Sequence, residues 1–304
     1  MRFLAAHILL LLCLFQVQAQ TQTNFDYFLT PSDTLNQKRL NGVIIGESVI
    51  YTGSMLALNE LWYNDFDRSK FHTVQDFNEW SQMDKVGHIY SSYQLGRLGA
   101  EILNWSGVEK HNQLKFGATL GLVFLSTVEV FDGYSEEWGF SWSDMAANLA
   151  GTGIFIGQEL LWEEQRISLK YSFHQTKYAP QRPDKLGDGF FEEFLKDYNG
   201  QTYWLSANIK SFFPGLEIPS WLNVALGYGA EGMLTADSQP INGTLIGQEA
   251  VRQYYLSMDI DFSRIKTNSP LLKTLFSLVN TLKVPFPAVE FTDKNGFRLL
   301  GIYY

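Results

Sequence analysis

Residues 143–174 read SDMAANLAGTGIFIGQELLWEEQRISLKYSFH. Up to Trp162 the pattern is helical: Asp144 and Asn148 are four apart, and Phe155 and Glu159 continue their face. From Ser168 to His174 the period shortens towards two, the spacing of a strand. The chain therefore changes character near residue 165. Its expected class is α+β, with an N-terminal helical bundle of about four helices over 20–165 and a C-terminal antiparallel β region over 166–304.

Upstream, three further stretches carry helical spacing: Gly42 to Trp62, Met83 to Trp105 and Gln113 to Phe131. Each of these, like Ser143 to Trp162, is long enough to cross about 30 Å at 1.5 Å per residue, yet Glu47, Arg97, Glu129 and Glu159 lie where a lipid-exposed span would avoid charge. The longest uninterrupted apolar run, Phe116 to Val128, has the length of a buried core helix. Gly117, Gly121, Ala150, Gly151, Gly153 and Gly157 leave room for close helix packing.

Downstream, Tyr203 to Ser211 sets Tyr203, Leu205, Ala207 and Ile209 against Trp204, Ser206, Asn208 and Lys210, and Tyr254 to Phe262 alternates in the same way. Strands are also expected at Ser168 to His174, Leu222 to Met233, Ala288 to Phe291 and Phe297 to Tyr304, with a helix over Pro270 to Lys283. Asp293-Lys-Asn295-Gly296 supplies turn chemistry for a closing antiparallel hairpin. A closed transmembrane barrel needs at least about eight strands, more than the six read here.

At the N-terminus, Arg2 and the apolar run Phe3 to Phe15, followed by Val17-Gln-Ala19, have the layout of a cleaved secretory signal over residues 1–19. The single cysteine, Cys13, falls inside that run after Leu11 and Leu12, which is not a lipidation context. Removing Arg2 with the leader leaves 22 basic against 32 acidic residues, a balance of −10. That sign argues against nucleic acid as a partner. The 23 Phe, 15 Tyr and 8 Trp are a content common where a surface meets lipid headgroups. The location expected is exported, in the periplasm or associated with the outer membrane, with a membrane surface or an envelope protein as partner and a small molecule or lipid as ligand.

Polar residues gather at helix ends. Asp84 and His88 share a face, Glu129 and Asp132 are three apart before Gly133, and Asp144 and Asn148 share a face of the next helix. If the helices are up-and-down neighbours, these six meet in one pocket. Two carboxylate pairs and an imidazole suit a divalent metal or acid–base hydrolysis, although the spacing is not that of di-iron bundles; metal identity and cofactor are left open. They equally suit a hydrogen-bond network that fixes helix register, with Asp84 and either Ser143 or Asp144 as helix caps. His72, His111 and His174 stand alone.

The run Glu79-Trp80, Met83-Asp84-Lys85-Val-Gly87-His88, then Glu129, Asp132-Gly133, Glu137-Trp138-Gly139, Ser141, Asp144 and Ala147-Asn148, resembles the YfiM-like family of uncharacterised predicted periplasmic lipoproteins over roughly residues 40–165. Lys196 to Leu205 is similar to longer members from Bacteroidetes-type bacteria. The pairing of Asp-Lys-x-x-His with a later Asp-x-x-x-Asn also resembles VanZ-like membrane proteins. Neither likeness implies an activity. The function expected is that of a non-enzymatic structural or ligand-binding envelope component; the alternative is a metal-assisted or acid/base hydrolase acting on an envelope lipid or glycan.

Overall fold

The computed structural model describes residues 24–64, 66–236 and 250–303. The expected leader with its Cys13, and Tyr304, lie outside the described residues. The long helices of the first half are α1 (Gln37–Leu58, continued by a wider turn over Asn59–Tyr63), α2 (Met83–Trp105), α3 (Leu120–Asp132) and α4 (Trp142–Trp162). Later come α5 (Phe190–Lys196) and α6 (Pro270–Val279), of which α5 was not legible as a helix.

Three helices, α2, α3 and α4, pack on one another, and glycine sets how closely. A side chain at Gly151 of α4 would overlap the Ile89 carbonyl oxygen of α2, and one at Gly121 of α3 would overlap that of Ser92. With the backbones so near, Ser92 Oγ donates to the Asn148 carbonyl at 2.7 Å and lies 2.8 Å from Thr152 Oγ1. Tyr93, Ala100, Leu114, Ala118 and Phe155 fill the space below.

The expected four-helix bundle is thus a three-helix core with α1 lying outside it. Only Val43 and Met55 of α1 are buried, its Gly42, Gly46 and Gly53 face open space, and Ile44, Ile45, Val49 and Ile50 are exposed. Apolar residues all round a helix leave no single face to dock. Nor is Phe116 to Val128 a buried core segment, since Phe116 and Val123 are 61% and 54% exposed. By length and composition Lys110–Asp132 could cross a membrane, with 28% of its most apolar window buried.

The second half is a six-stranded antiparallel meander, β3 (Ile167–Phe173), β4 (Gln201–Asn208), β5 (Leu222–Glu231), β6 (Val251–Ile260), β7 (Phe286–Thr292) and β8 (Gly296–Tyr303), paired in chain order. A two-residue parallel ribbon, β1 (Thr73–Val74) with β2 (Phe140–Ser141), precedes it. β4 stops three residues short of Ser211, because Asn208 accepts from Ser211 N–H at 3.0 Å and caps a helical turn instead. At the β7–β8 turn Gly296 has φ +68°, a left-handed value glycine adopts without strain.

Helices and sheet meet along β3. Gln94 of α2 donates to the Leu169 carbonyl at 2.5 Å, and Tyr90 packs against Tyr171 and Tyr203. This fixes α2 on the sheet and leaves its N-terminal end free to build a site.

Gly151→Ala is expected to lower the unfolding free energy by about 1–3 kcal/mol, because the added methyl must push α2 and α4 apart. Gly153→Ala, on the open face of the same helix, is expected to leave it unchanged or raise it by under about 1 kcal/mol. Denaturant titration of both variants checks the pair.

Candidate functional site

The chain enters α2 through an unusual reversal. Trp80, Ser81 and Gln82 all have positive φ, 47°, 53° and 62°, a conformation that costs roughly 1–2 kcal/mol per non-glycine residue. Contacts on both sides hold it: Trp80 N–H donates to the Ala236 carbonyl at 2.9 Å, and Tyr228 Oη donates to the Ser81 carbonyl at 2.5 Å. The reversal, with the β1–β2 ribbon, brings Asp76 back against the first turn of α2 and the start of α4.

Here Asp84 does not cap α2. The capping position is Gln82, whose side chain makes no cap bond, and Asp84 instead accepts from Tyr198 Oη at 2.7 Å. Nor do Ser143 or Asp144 cap α4; Ser141 does, accepting from Asp144 N–H at 3.1 Å. Moving the cap to Ser141 frees the Asp144 carboxylate to turn inward.

His88 is the centre of the cluster. Its Nδ1 lies 3.0 Å from Asn148 Oδ1, an acceptor that calls for a proton on Nδ1, so that Nε2 faces the carboxylates. Around Nε2 stand Glu129 Oε1 at 3.7 Å, Asp84 Oδ1 at 3.8 Å and Asp144 Oδ1 at 3.9 Å. These oxygens come from α3, α2 and α4 and ring the imidazole nitrogen without hydrogen-bonding to it. Asp144 Oδ1 accepts no hydrogen bond of normal geometry, although Lys85 Nζ is 2.8 Å away, and Asn148 Nδ2 is likewise buried without a partner among the described residues.

Asp132 is placed differently. It lines the same cavity as His88 but accepts from Tyr63 Oη at 2.7 Å. Of the six residues singled out in the sequence, five line that cavity, and Asn148 sits behind His88. His72 is bound elsewhere, 2.7 Å from the Trp138 carbonyl.

Lys85 and Asp76 were missed. Lys85 Nζ reaches Asp76 Oδ2 at 2.6 Å, Asp84 Oδ2 at 2.9 Å and Asp144 Oδ2 at 2.9 Å, and the lysine is 6% exposed. Adjacent helical residues do not share a face, so face-sharing set Lys85 apart from Asp84; its long stem brings the ammonium back. Asp76 Oδ1 accepts from both Ser141 and Ser143 at 2.7 Å. A lysine buried beside an acidic helix end was the available signal for it.

Five carboxylates, Asp76, Asp84, Glu129, Asp132 and Asp144, thus share one region with two basic groups, Lys85 and His88. Burial raises Glu129 to about 8 against the pull of His88, with Asp144 and Asp132 raising it further. Burial also raises Asp132 to about 6 and, with Asp84, raises Asp144 to about 7. For Asp76, burial is outweighed by hydrogen bonds from Lys85, Ser141 and Ser143, which bring it to about 2. Burial would lower His88, but Asp84, Asp144 and Glu129 together hold it above its ordinary value. Burial would raise Asp84, but His88 and Lys85 hold it down.

The arrangement has room for a ligand. A cavity of about 430 Å³ opens over His88, with Leu58, Phe124, Leu125 and Val128 as an apolar wall. Trp80, Trp138 and Tyr198 also border a second cavity of about 470 Å³ next to it. Asp84, His88 and Asp144 each offer a ligand atom within 4.8 Å of the others. For metal–ligand bonds of about 2.0–2.2 Å, tetrahedral ligands lie about 3.3–3.6 Å apart, so the ring around Nε2 is a few tenths of an ångström wider than a bound divalent ion would make it.

Residues 75–157 match a family described as predicted periplasmic lipoprotein (DUF2279). The matched stretch runs from the turn carrying Asp76 through most of α4 and holds every residue of the cluster except Tyr63 and Tyr198. The description accords with an exported location, periplasmic or membrane-associated. Searches of curated proteins and of solved structures returned no match.

The raised carboxyls set a pH dependence. Glu129, Asp132 and Asp144 bind protons in the folded state at pH values where the unfolded chain has released them. Their contribution to stability is therefore fully present below the unfolded carboxyl range and is lost as pH rises towards about 6, 7 and 8, by up to about 1.4 kcal/mol per pH unit per group. Urea unfolding of the protein stripped of metal with a chelator, between about pH 5 and about pH 9, is expected to show this fall, and Glu129→Gln is expected to flatten its upper part. A flat profile in the parent protein would contradict the assignment.

Proposed function

We propose that this exported envelope protein uses the His88 pocket as a cation-assisted acid–base site that hydrolyses an envelope lipid or glycan. The observation that carries the reading is the open ring at His88 Nε2: three carboxylate oxygens from three helices at 3.7–3.9 Å, none hydrogen-bonded to it, at the base of a cavity. Of the three, Asp84 Oδ1 accepts from Tyr198 and Asp144 Oδ1 is the one buried without a hydrogen bond; a network built only to hold helix register would close that gap, since a buried polar atom left unbonded costs about 1–3 kcal/mol. An excess of carboxylate over base in one buried region takes up either protons or a cation.

In this reading Asp84, Asp144 and His88 hold a divalent ion, with Glu129 within reach; one imidazole and carboxylate oxygens form a donor set that suits zinc or manganese. Such an ion would supply Lewis-acid activation of water or of a substrate oxygen. Asn148 orients His88 by accepting from Nδ1. Glu129, protonated near neutral pH, is the group placed to give a proton to a leaving oxygen, while Asp132, held by Tyr63, accepts one. The apolar wall suits an acyl chain, and Trp80 and Trp138 offer flat faces for a sugar ring.

A second reading rests on Lys85. Its ammonium already satisfies three of the carboxylates, which favours a ligand-binding or architectural cluster without chemistry. Elemental analysis separates the two. Purified protein is expected to carry a stoichiometric divalent metal, which His88→Ala and Asp144→Asn lose while keeping the parent's circular dichroism and unfolding midpoint to within a few degrees. A metal-free parent that takes up no added zinc or manganese, with both variants strongly destabilised, would leave the cluster as architecture.

A further inference from the structure

The sheet carries ionisable groups on its enclosed face and large apolar side chains on its exposed one. On the face turned inward across its curl lie Lys170 and Asp259, paired at 2.8 Å and both fully buried, with Ser206 donating to Asp259 at 2.6 Å and Tyr255 donating to Glu290 at 3.0 Å. The curl is tight enough that Tyr303 of β8 stacks on Tyr255 and lies 2.9 Å from Thr202 Oγ1 of β4. Trp204, Ala225 and Tyr255 pack on that same inner face, while the exposed leucines occupy the outer one. An antiparallel sheet facing water turns polar residues outward instead.

The outer residues fall into rows by register. Leu205, Leu226, Leu256, Val289 and Leu299 are successive partners across β4 to β8. The four leucines are 48%, 57%, 48% and 83% exposed. One step along the strands, Tyr228, Tyr254, Phe291 and Phe297 are successive partners in a second row. Arg252 is the single charged residue on the outer face of β4 to β8, and it is tied at the end beyond the aromatic row to Gln82 at 2.5 Å. An uncharged aliphatic row bordered by aromatics, and then by a cation, matches the order of acyl chain, interface and headgroup in a bilayer.

We infer that the outer face of β4 to β8 lies against the acyl chains of an envelope membrane, with the Tyr254 row at headgroup depth. The complementarity is one of charge: a face without charge meets the layer that excludes it, and the only cation stands where anionic headgroups begin. Of the two edge strands, β3 is covered at Tyr171, which exchanges hydrogen bonds with Thr281 and Lys283 at 3.0 and 2.9 Å, and β8 has no strand beyond it among the described residues. Arg252 and Tyr228 also hold Gln82 and Ser81, so the start of α2 and the pocket beyond it stand at the headgroup level. This inference stands apart from the His88 chemistry and survives if that chemistry fails.

The test uses the full chain with Cys13→Ser, which removes its only cysteine, and single cysteines at Leu226, Leu256, Tyr254 and the exposed turn residue Lys294, each labelled with a fluorophore. Each labelled protein is reconstituted into phosphatidylethanolamine–phosphatidylglycerol vesicles, and circular dichroism confirms the parent fold. Labels at 226 and 256 are expected to be quenched by doxyl groups on lipid acyl chains and shielded from aqueous iodide. The label at 254 is expected to respond best to the shallowest doxyl, and the label at 294 to iodide alone. Iodide quenching at 226 and 256 equal to that at 294 would overturn the inference. So would a detergent-free soluble dimer in which neither quencher reaches 226 or 256, since a second copy would then cover the face.

Discussion

The structure depends on burying a carboxylate-rich cluster around one imidazole and one ammonium. Isolated charges in a protein interior are strongly unfavourable, and removing one partner of a buried pair leaves the other uncompensated. Here the compensation is shared among elements far apart in sequence: Asp76 from the turn after β1, Asp84 and Lys85 from α2, Glu129 from α3 and Asp144 from α4. Close glycine contacts hold α2 and α4 together beside this cluster, since a side chain at Gly151 would overlap the Ile89 carbonyl oxygen. The left-handed run at Trp80 to Gln82 fits this picture, being the reversal that returns Asp76 to Lys85.

Much of this was legible in the sequence. Helical spacing located α2 and α4 to within a residue, and the two-residue period found all six strands of the meander. Spacing within single helices also picked out Asp84 with His88 and Asp144 with Asn148, since residues four apart project together whatever the tertiary structure does. The same logic failed for Lys85, because a long side chain escapes the face its Cα assigns it. It failed for Asp76, Tyr63 and Tyr198, which enter from a turn, a helix end and a loop with no periodic signature. The outlying position of α1 was hidden because apolar content alone does not say which solvent a helix faces.

Polarity ties the two halves together. In the helical half the polar cluster is enclosed and apolar residues of α1 and α3 point outward; in the sheet the inner face holds Lys170, Asp259 and Glu290 while leucines and aromatics face out. One surface pattern therefore runs through both halves, with ionisable groups turned inward and large apolar side chains exposed.

The claim at the centre is that the ring around His88 Nε2 is a binding site and not a closed network. The most direct measurement is a crystal structure of the protein grown with manganese or zinc, with data collected at the metal's absorption edge. A bound ion gives an anomalous peak within about 2.0–2.3 Å of His88 Nε2 and of oxygens from Asp84 and Asp144, which is the expected result. A structure with no anomalous density there, in which His88 Nε2 is hydrogen-bonded directly to Glu129 or Asp144, would contradict it.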